Sequence, residues 1–284
     1  MGFARRRTLG LLVTATLVAG CGTASVASTS HAPASVPSSS ASPAKTAKTA
    51  KTAKTVKAVK AVSVPELVLA TMTATPAVSA FKGSCASIGF PAVGQGTFAT
   101  PVSAGGHAYV ESTTFNVGYT PKAFYYCARI RTPVVVATAT GAGASTWTGD
   151  DMEFWLAPTG DRGQVRATDT YQLLFNPAGG WNNTQGTGNS TSPFNFKWVS
   201  HAQFKVSVDG KVNGAYGSAK GWSVLAAVPW VNLGLSGGPK PGAVMGFNTG
   251  GCIGAGCPAQ TDWLPGVNEA NWHTPALWGK LKVR

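Results

Sequence analysis

A chain of 284 residues, 44% hydrophobic and only 12% charged, has the length for one or two domains and enough apolar material for a sizeable core. Its formal net charge of +13 is concentrated near the front: removing Arg5, Arg6, Arg7, Lys45, Lys48, Lys51, Lys54, Lys57 and Lys60 leaves 14 basic residues against 10 acidic ones. No Arg/Lys cluster follows residue 61, which argues against a nucleic-acid groove, and 35 glycines with 18 prolines favour a turn-rich, all-β body.

Residues 1–21 read as an export signal: three arginines, an apolar run from Leu9 to Ala19, then Leu17-Val-Ala-Gly-Cys21. The last phrase resembles the bacterial lipobox, in which the cysteine is acylated. It implies lipidation at Cys21 and anchoring to the outer face of a bacterial membrane or cell surface. The apolar run is too short for a comfortable membrane span, whereas several acyl chains on one cysteine hold stably. An ordinary signal peptide with an incidental Cys21 is the rival reading. Arg6-Arg7-Thr-Leu weakly resembles a twin-arginine signal, so the export route stays open.

Residues 22–64 are rich in Ala, Ser, Thr, Pro and Val and carry a Lys-Thr-Ala repeat from Lys45 to Lys54. The segment has no periodic apolar face and no aromatic residue, so burial cannot offset its ordering entropy. It is expected to be a disordered linker, a spacer whose lysines also favour anionic lipid or cell-wall polymer.

From about residue 80 short β-prone runs alternate with turn residues. The expected strands are Ala108–Thr113, Ala123–Arg129, Val134–Ala139, Met152–Leu156, Tyr171–Phe175, Phe204–Val208, Trp222–Val228 and Ala243–Asn248; residues 65–80 are a strand or more linker. Regular short strands without a long helical period predict a two-sheet antiparallel β-sandwich. In an exported chain Cys85, Cys127, Cys252 and Cys257 are expected to form two disulfides, with three connectivities open. Cys252-Ile-Gly-Ala-Gly-Cys257 can close on itself, which leaves Cys85 for Cys127. A metal site is the rival, with His273 the nearest further ligand in sequence.

Four phrases in order resemble the family 9 carbohydrate-binding modules. They are Trp147 with Asp150-Asp151-Met-Glu153-Phe-Trp-Leu; Tyr171-Gln-Leu-Leu-Phe175-Asn-Pro; Trp222 to Pro229-Trp230 with Gly246-Phe-Asn248; and Trp263 with Trp272-His-Thr-Pro275-Ala-Leu-Trp278-Gly-Lys. The likeness is best over 120–284 and implies a CBM9-like sandwich over 65–284. It implies a non-catalytic carbohydrate-binding surface protein that holds a sugar ring or chain end between Trp147 and Trp272. Glu153 would accept hydrogen bonds from sugar hydroxyls, and Asn271, next to Trp272 in sequence and close to where the family has an asparagine, is a further ligand-binding residue. The chain departs from the family pattern where Leu174 replaces an arginine, Gly250 a glutamine and Glu269 an asparagine, and it lacks the usual tryptophan in the first strand region.

Trp181 and Trp198 flank a polar loop, and Trp181 and Asp150 are secondary candidates for ligand contact. Trp155, Trp222, Trp230 and Trp278 are expected in the core. Asp150 and Asp151 are expected in a solvated turn, with calcium as the alternative. No resident metal or other cofactor is expected. Three carboxylates so close in sequence cannot by themselves flank a glycosidic bond, and no nucleophile constellation is evident, so no catalytic residues are assigned. Two rivals remain: haem held by Met152 or Met245 with a histidine, as in haem domains of similar fold, and an adhesion module that contacts another protein, such as a surface enzyme.

Overall fold

In the computed structural model residues 64–98, 103–104, 107–108, 110–264 and 272–284 are described, the two short pieces by backbone alone. They lie within one unit, 59–284. The leader with Cys21, the linker up to residue 63, and Asn271 lie outside the described residues.

The strands among these residues are β1 (Glu66–Leu69), β2 (Gln95–Thr97), β3 (Ser103–Ala104), β4 (His107–Ala108), β5 (Ser112–Tyr119), β6 (Ala123–Arg131), β7 (Met152–Ala157), β8 (Tyr171–Phe175), β9 (Trp181–Gly186), β10 (Phe194–Asn195), β11 (Gln203–Gly210), β12 (Ala219–Pro229), β13 (Val244–Ile253), β14 (Ala259–Asp262) and β15 (Gly279–Val283). One sheet runs β1-β15-β13-β7-β8-β9-β10, with β14 also on β13. The other runs β11-β12-β6-β5-β2, and β3 pairs with β4. All these pairs are antiparallel except β1 with β15, which runs parallel from Glu66 opposite Lys280 to Leu69 opposite Val283.

Side chains alternate across each strand. Met152, Phe154 and Leu156 of β7, Leu173 and Phe175 of β8 and Phe247 of β13 meet Phe115, Phe124, Tyr126, Val224 and Val228 of the other sheet in a buried inter-sheet core. The sandwich is therefore as expected. Trp155, Trp222, Trp230 and Trp278 are all buried, also as expected. The outer face of the five-stranded sheet is covered along Tyr125, Cys127 and Leu225 by Met72, Val78 and Phe81, and the Cys85–Cys127 disulfide pins that cover. The second disulfide joins Cys252 to Cys257.

Two expected strands are corrected. Val134–Ala139 makes only an isolated bridge, Val135 to Val212. Its backbone is satisfied by side chains instead: the Val136 N–H donates to Asp150 Oδ2 at 2.9 Å, and Ala137 exchanges two bonds with the Asn213 amide. The strand expected at Ala108–Thr113 lies further on, at Ser112–Tyr119. Residues 65–80 do contribute a strand, β1.

Candidate functional site

The odd positions of β7 and the even positions of β8 and β9 point away from the core. Glu153, Gln172, Leu174, Asn182 and Thr184 thereby form the floor of a cavity of about 240 Å³ on the outer face of the larger sheet. Its walls are Trp147, Phe194, Phe196, Cys252, Trp272 and His273. Beside it, Trp155 is capped by Trp272, at 5.3 Å between rings, and together with Trp278 they form a small buried cluster.

Trp147 is on a 3-10 turn, Thr146–Thr148, and is 44% exposed. The turn is tied to the disulfide loop. The Gly256 N–H donates to the Thr148 carbonyl at 3.0 Å, the Gly254 N–H to Asp150 Oδ1 at 2.6 Å, and the Cys252 N–H to Asp151 Oδ1 at 2.6 Å. Asp150 also accepts from Val136, and Thr146 donates to Asp151 Oδ2 at 3.2 Å. Asp150 and Asp151 are buried braces, not the solvated turn expected from their composition. Both oxygens of Asp150 face backbone N–H donors, so it supports Trp147 from behind and does not line the cavity. Burial lifts its carboxyl to about 6 against those two bonds. Among the described residues no group of three or more His, Cys, Asp or Glu side chains could hold a metal ion.

The floor is a polar chain. Gln172 Nε2 donates to Glu153 Oε2 at 2.6 Å. Gln172 Oε1 accepts from Arg166 Nη1 at 3.0 Å and from Thr184 Oγ1 at 3.2 Å. Arg166 is fully buried, donates through Nη2 to the Thr184 carbonyl at 3.3 Å, and lies 5.1 Å from the centre of the Phe194 ring. Burial, then the Asp151 charge, pushes Glu153 well above the carboxylate range, while the Gln172 bond and the Arg166 charge oppose the shift. Burial lowers Arg166 to about 10 against the pull of Glu153. Burial and the Arg166 charge hold His273 down to about 4, so its imidazole is neutral at pH 7. The cavity thus offers flat apolar rings at its sides and hydrogen-bonding groups at its base.

Of the residues singled out in the sequence, Trp147, Glu153 and Trp272 line this one cavity. The slot expected between two open indoles differs, because Trp272 is only 2% exposed and is seated on Trp155. Trp147 is the open ring. Trp181 is not at the cavity; it packs on the core beside Phe204, 6.0 Å away, because β9 directs its odd positions inward. Leu174 does face the cavity, apolar where the family pattern has an arginine. Met152 and Met245 are both fully buried in the inter-sheet core. Sequence reasoning missed Arg166, Gln172, Asn182, Thr184, Phe194 and Phe196.

No protein-family model matches the chain, and no curated protein matches it. Solved structures do. A candidate carbohydrate-binding protein from Bacteroides uniformis aligns with a TM-score of 0.58 at 21% identity, covering 78% of this chain and 100% of that one. A family 9 carbohydrate-binding module from Caldicellulosiruptor kristjanssonii, solved with cellotriose, aligns with a TM-score of 0.50 at 16% identity, covering 78% and 94%. The described domain has a CBM9-like fold.

Proposed function

We propose that this chain is a non-catalytic carbohydrate-binding protein that seats a sugar ring or chain end in the cavity between Trp147 and Trp272. The observation that carries the reading is the pairing of an exposed indole with a polar floor in one concave site. A pyranose has apolar C–H faces that suit a flat ring, and burying one face of roughly 80 Å² at ~25 cal/mol/Å² is worth on the order of 2 kcal/mol. The base supplies direction: the Glu153 carboxyl and the Asn182 amide exchange hydrogen bonds with ring hydroxyls, and the second Nε2–H of Gln172, whose carbonyl is already taken by Arg166 and Thr184, donates to them. The shared fold with a module solved in complex with cellotriose supports the ligand class. In this reading Trp147 gives the stacking face and Trp272, held by Trp155, closes the far wall with its edge.

A glycan array probed with the full chain tests this, cello-oligosaccharides included. Wild type is expected to bind at least one glycan and Trp147→Ala to lose that signal. If no glycan is retained, or if Trp147→Ala binds as wild type does, the reading fails.

The leader and linker support a lipid-anchored surface location, with acylation at Cys21 and residues 22–64 as spacer. Cys21→Ala in the native host is then expected to release the protein from the membrane fraction; continued membrane retention would refute the anchor.

A further inference from the structure

The outer face of the five-stranded sheet carries a separate arrangement. Register sets Thr97 of β2 opposite Thr114 of β5, Thr114 opposite Arg129 of β6, Arg129 opposite Ser223 of β12, and Ser223 opposite Ser207 of β11. Directly paired residues project from one face. Their flanking neighbours Phe115, Ala128, Ile130, Trp222 and Val224 all belong to the inter-sheet core, so this row faces outward. It crosses five strands, about 19 Å at the usual strand spacing. It consists of four hydroxyls with one guanidinium at the centre.

Arg129 and Ser84 each line two cavities on this face, of about 360 and 400 Å³. The segment Lys82–Ser84 lies over the row, accepting a bond from Ser223 Oγ to the Gly83 carbonyl at 2.9 Å. Lys82 and Lys220 line the first cavity, opposed there by Asp209. Arg129, Lys82 and Lys220 are exposed, and among the described residues no hydrogen bond or ion pair engages their side chains. Arg131, two residues along, is by contrast paired with Glu111 at 3.5 Å.

We propose that this row is a second binding site, for an extended acidic glycan bearing carboxylate groups. A planar fork of donors matches a carboxylate with two parallel bonds. On one side the exposed Thr114 hydroxyl both donates and accepts, as ring hydroxyls require, while Ser223 on the other is buried and committed to the Gly83 carbonyl. Thr97 and Thr114, both exposed, meet the sugar rings, Arg129 takes one carboxylate, and Lys82 or Lys220 reaches the next; Ser207, packed against Gly83, only borders the site. The site is on the opposite sheet from the cavity of Trp147 and does not depend on the role given to that cavity.

Isothermal titration of the full chain with trigalacturonate at low salt tests it. Arg129 is exposed, so Arg129→Gln should keep the wild-type melting temperature. Trigalacturonate is expected to bind, and Arg129→Gln to weaken it about ten- to hundredfold, the loss of one charge-assisted pair. Replacing the six linker lysines Lys45, Lys48, Lys51, Lys54, Lys57 and Lys60 with glutamine should leave the affinity unchanged. The proposal is overturned if trigalacturonate does not bind, if Arg129→Gln binds as wild type, or if the loss follows the linker lysines instead. It is also overturned if inorganic sulfate binds Arg129 as tightly as the trisaccharide does, since that describes a plain anion site.

Discussion

Arg166 and Gln172 are joined by a 3.0 Å hydrogen bond from Nη1 to Oε1, and this bond decides which end of the amide meets Glu153. With the carbonyl held by the guanidinium and by Thr184, the Nε2 donors are turned toward the Glu153 carboxylate, 2.6 Å away. Arg166 never reaches the cavity surface, yet it orients the floor and backs the Phe194 ring. Arg166→Met should therefore act twice. Removing a buried charge whose neighbours depend on it is expected to destabilise the fold by about 3–5 kcal/mol, read by urea unfolding. Sugar affinity should also fall in the protein that remains folded. Arg166→Lys keeps the charge without the fork and should recover only part of either loss. Wild-type stability in Arg166→Met would contradict this account.

The two indoles of the cavity should respond differently to truncation. Trp147 is exposed on a turn, so Trp147→Ala should cost sugar affinity by tenfold or more while the melting temperature moves little. Trp272 is buried against Trp155 and close to Trp278, and Trp272→Ala opens a void there. It is expected to cost about 3–5 kcal/mol of stability. Thermal melts of the two variants side by side check the contrast; equal destabilisation would mean that Trp147 is packed as firmly as Trp272.

That contrast lies beyond what the sequence displays. The apolar runs of β7, β8 and β12 are legible because alternate residues there are large and hydrophobic, and a period of two is unambiguous over five or more positions. Glu153 stands out as the one carboxylate inside such a run. In β9, by contrast, Trp-Asn-Asn-Thr-Gln-Gly reads as a polar loop. Asn182 and Thr184 are polar because they floor the cavity, while Asn183 points the other way and bonds the Trp198 carbonyl. Arg166, in Gly-Gln-Val-Arg-Ala, carries no local pattern at all; only the folded chain brings it to Gln172. Val134–Ala139 misleads in the opposite sense, since β-branched residues suit any extended backbone, including one satisfied by Asp150 and Asn213.

The buried carboxylates make stability pH-dependent. Burial raises Asp262 to about 7, opposed by bonds from the Leu264 N–H and Asn248, and raises Asp150 to about 6. The folded state holds these protons more tightly than the unfolded chain does. The stability they contribute is therefore complete below about pH 4 and lost as pH rises through 6 and 7. His273, held down to about 4, works in the opposite direction: its contribution is present above about 6.5 and lost as pH falls through 4. Between pH 6.5 and 8 the histidine contribution is nearly settled and Asp262 still titrates. The melting temperature should fall across this window, by about 2–4 °C per kcal/mol, and Asp262→Asn should flatten the fall. A wild-type melting temperature that rises with pH here would refute the assignment.

The two disulfides are expected to separate in effect. Cys85 and Cys127 close a loop with a sequence separation of 42, Cys252 and Cys257 one of 5. On chain-entropy grounds the first contributes about 4 kcal/mol and the second about 2 kcal/mol. The short loop, however, donates three backbone bonds to the turn of Trp147 and the two aspartates below it. Cys252→Ala with Cys257→Ala should thus weaken sugar binding more than its stability loss implies, and Cys85→Ala with Cys127→Ala the reverse. Denaturant unfolding and titration on both double variants distinguish the two.

The pairing of β1 with β15 also governs how this domain can be cut. A fragment starting after Leu69 would strip the cover from β15 and leave a row of unpaired amides and carbonyls, an open template for another chain. Recombinant boundaries should begin ahead of Glu66; shorter pieces are expected to precipitate.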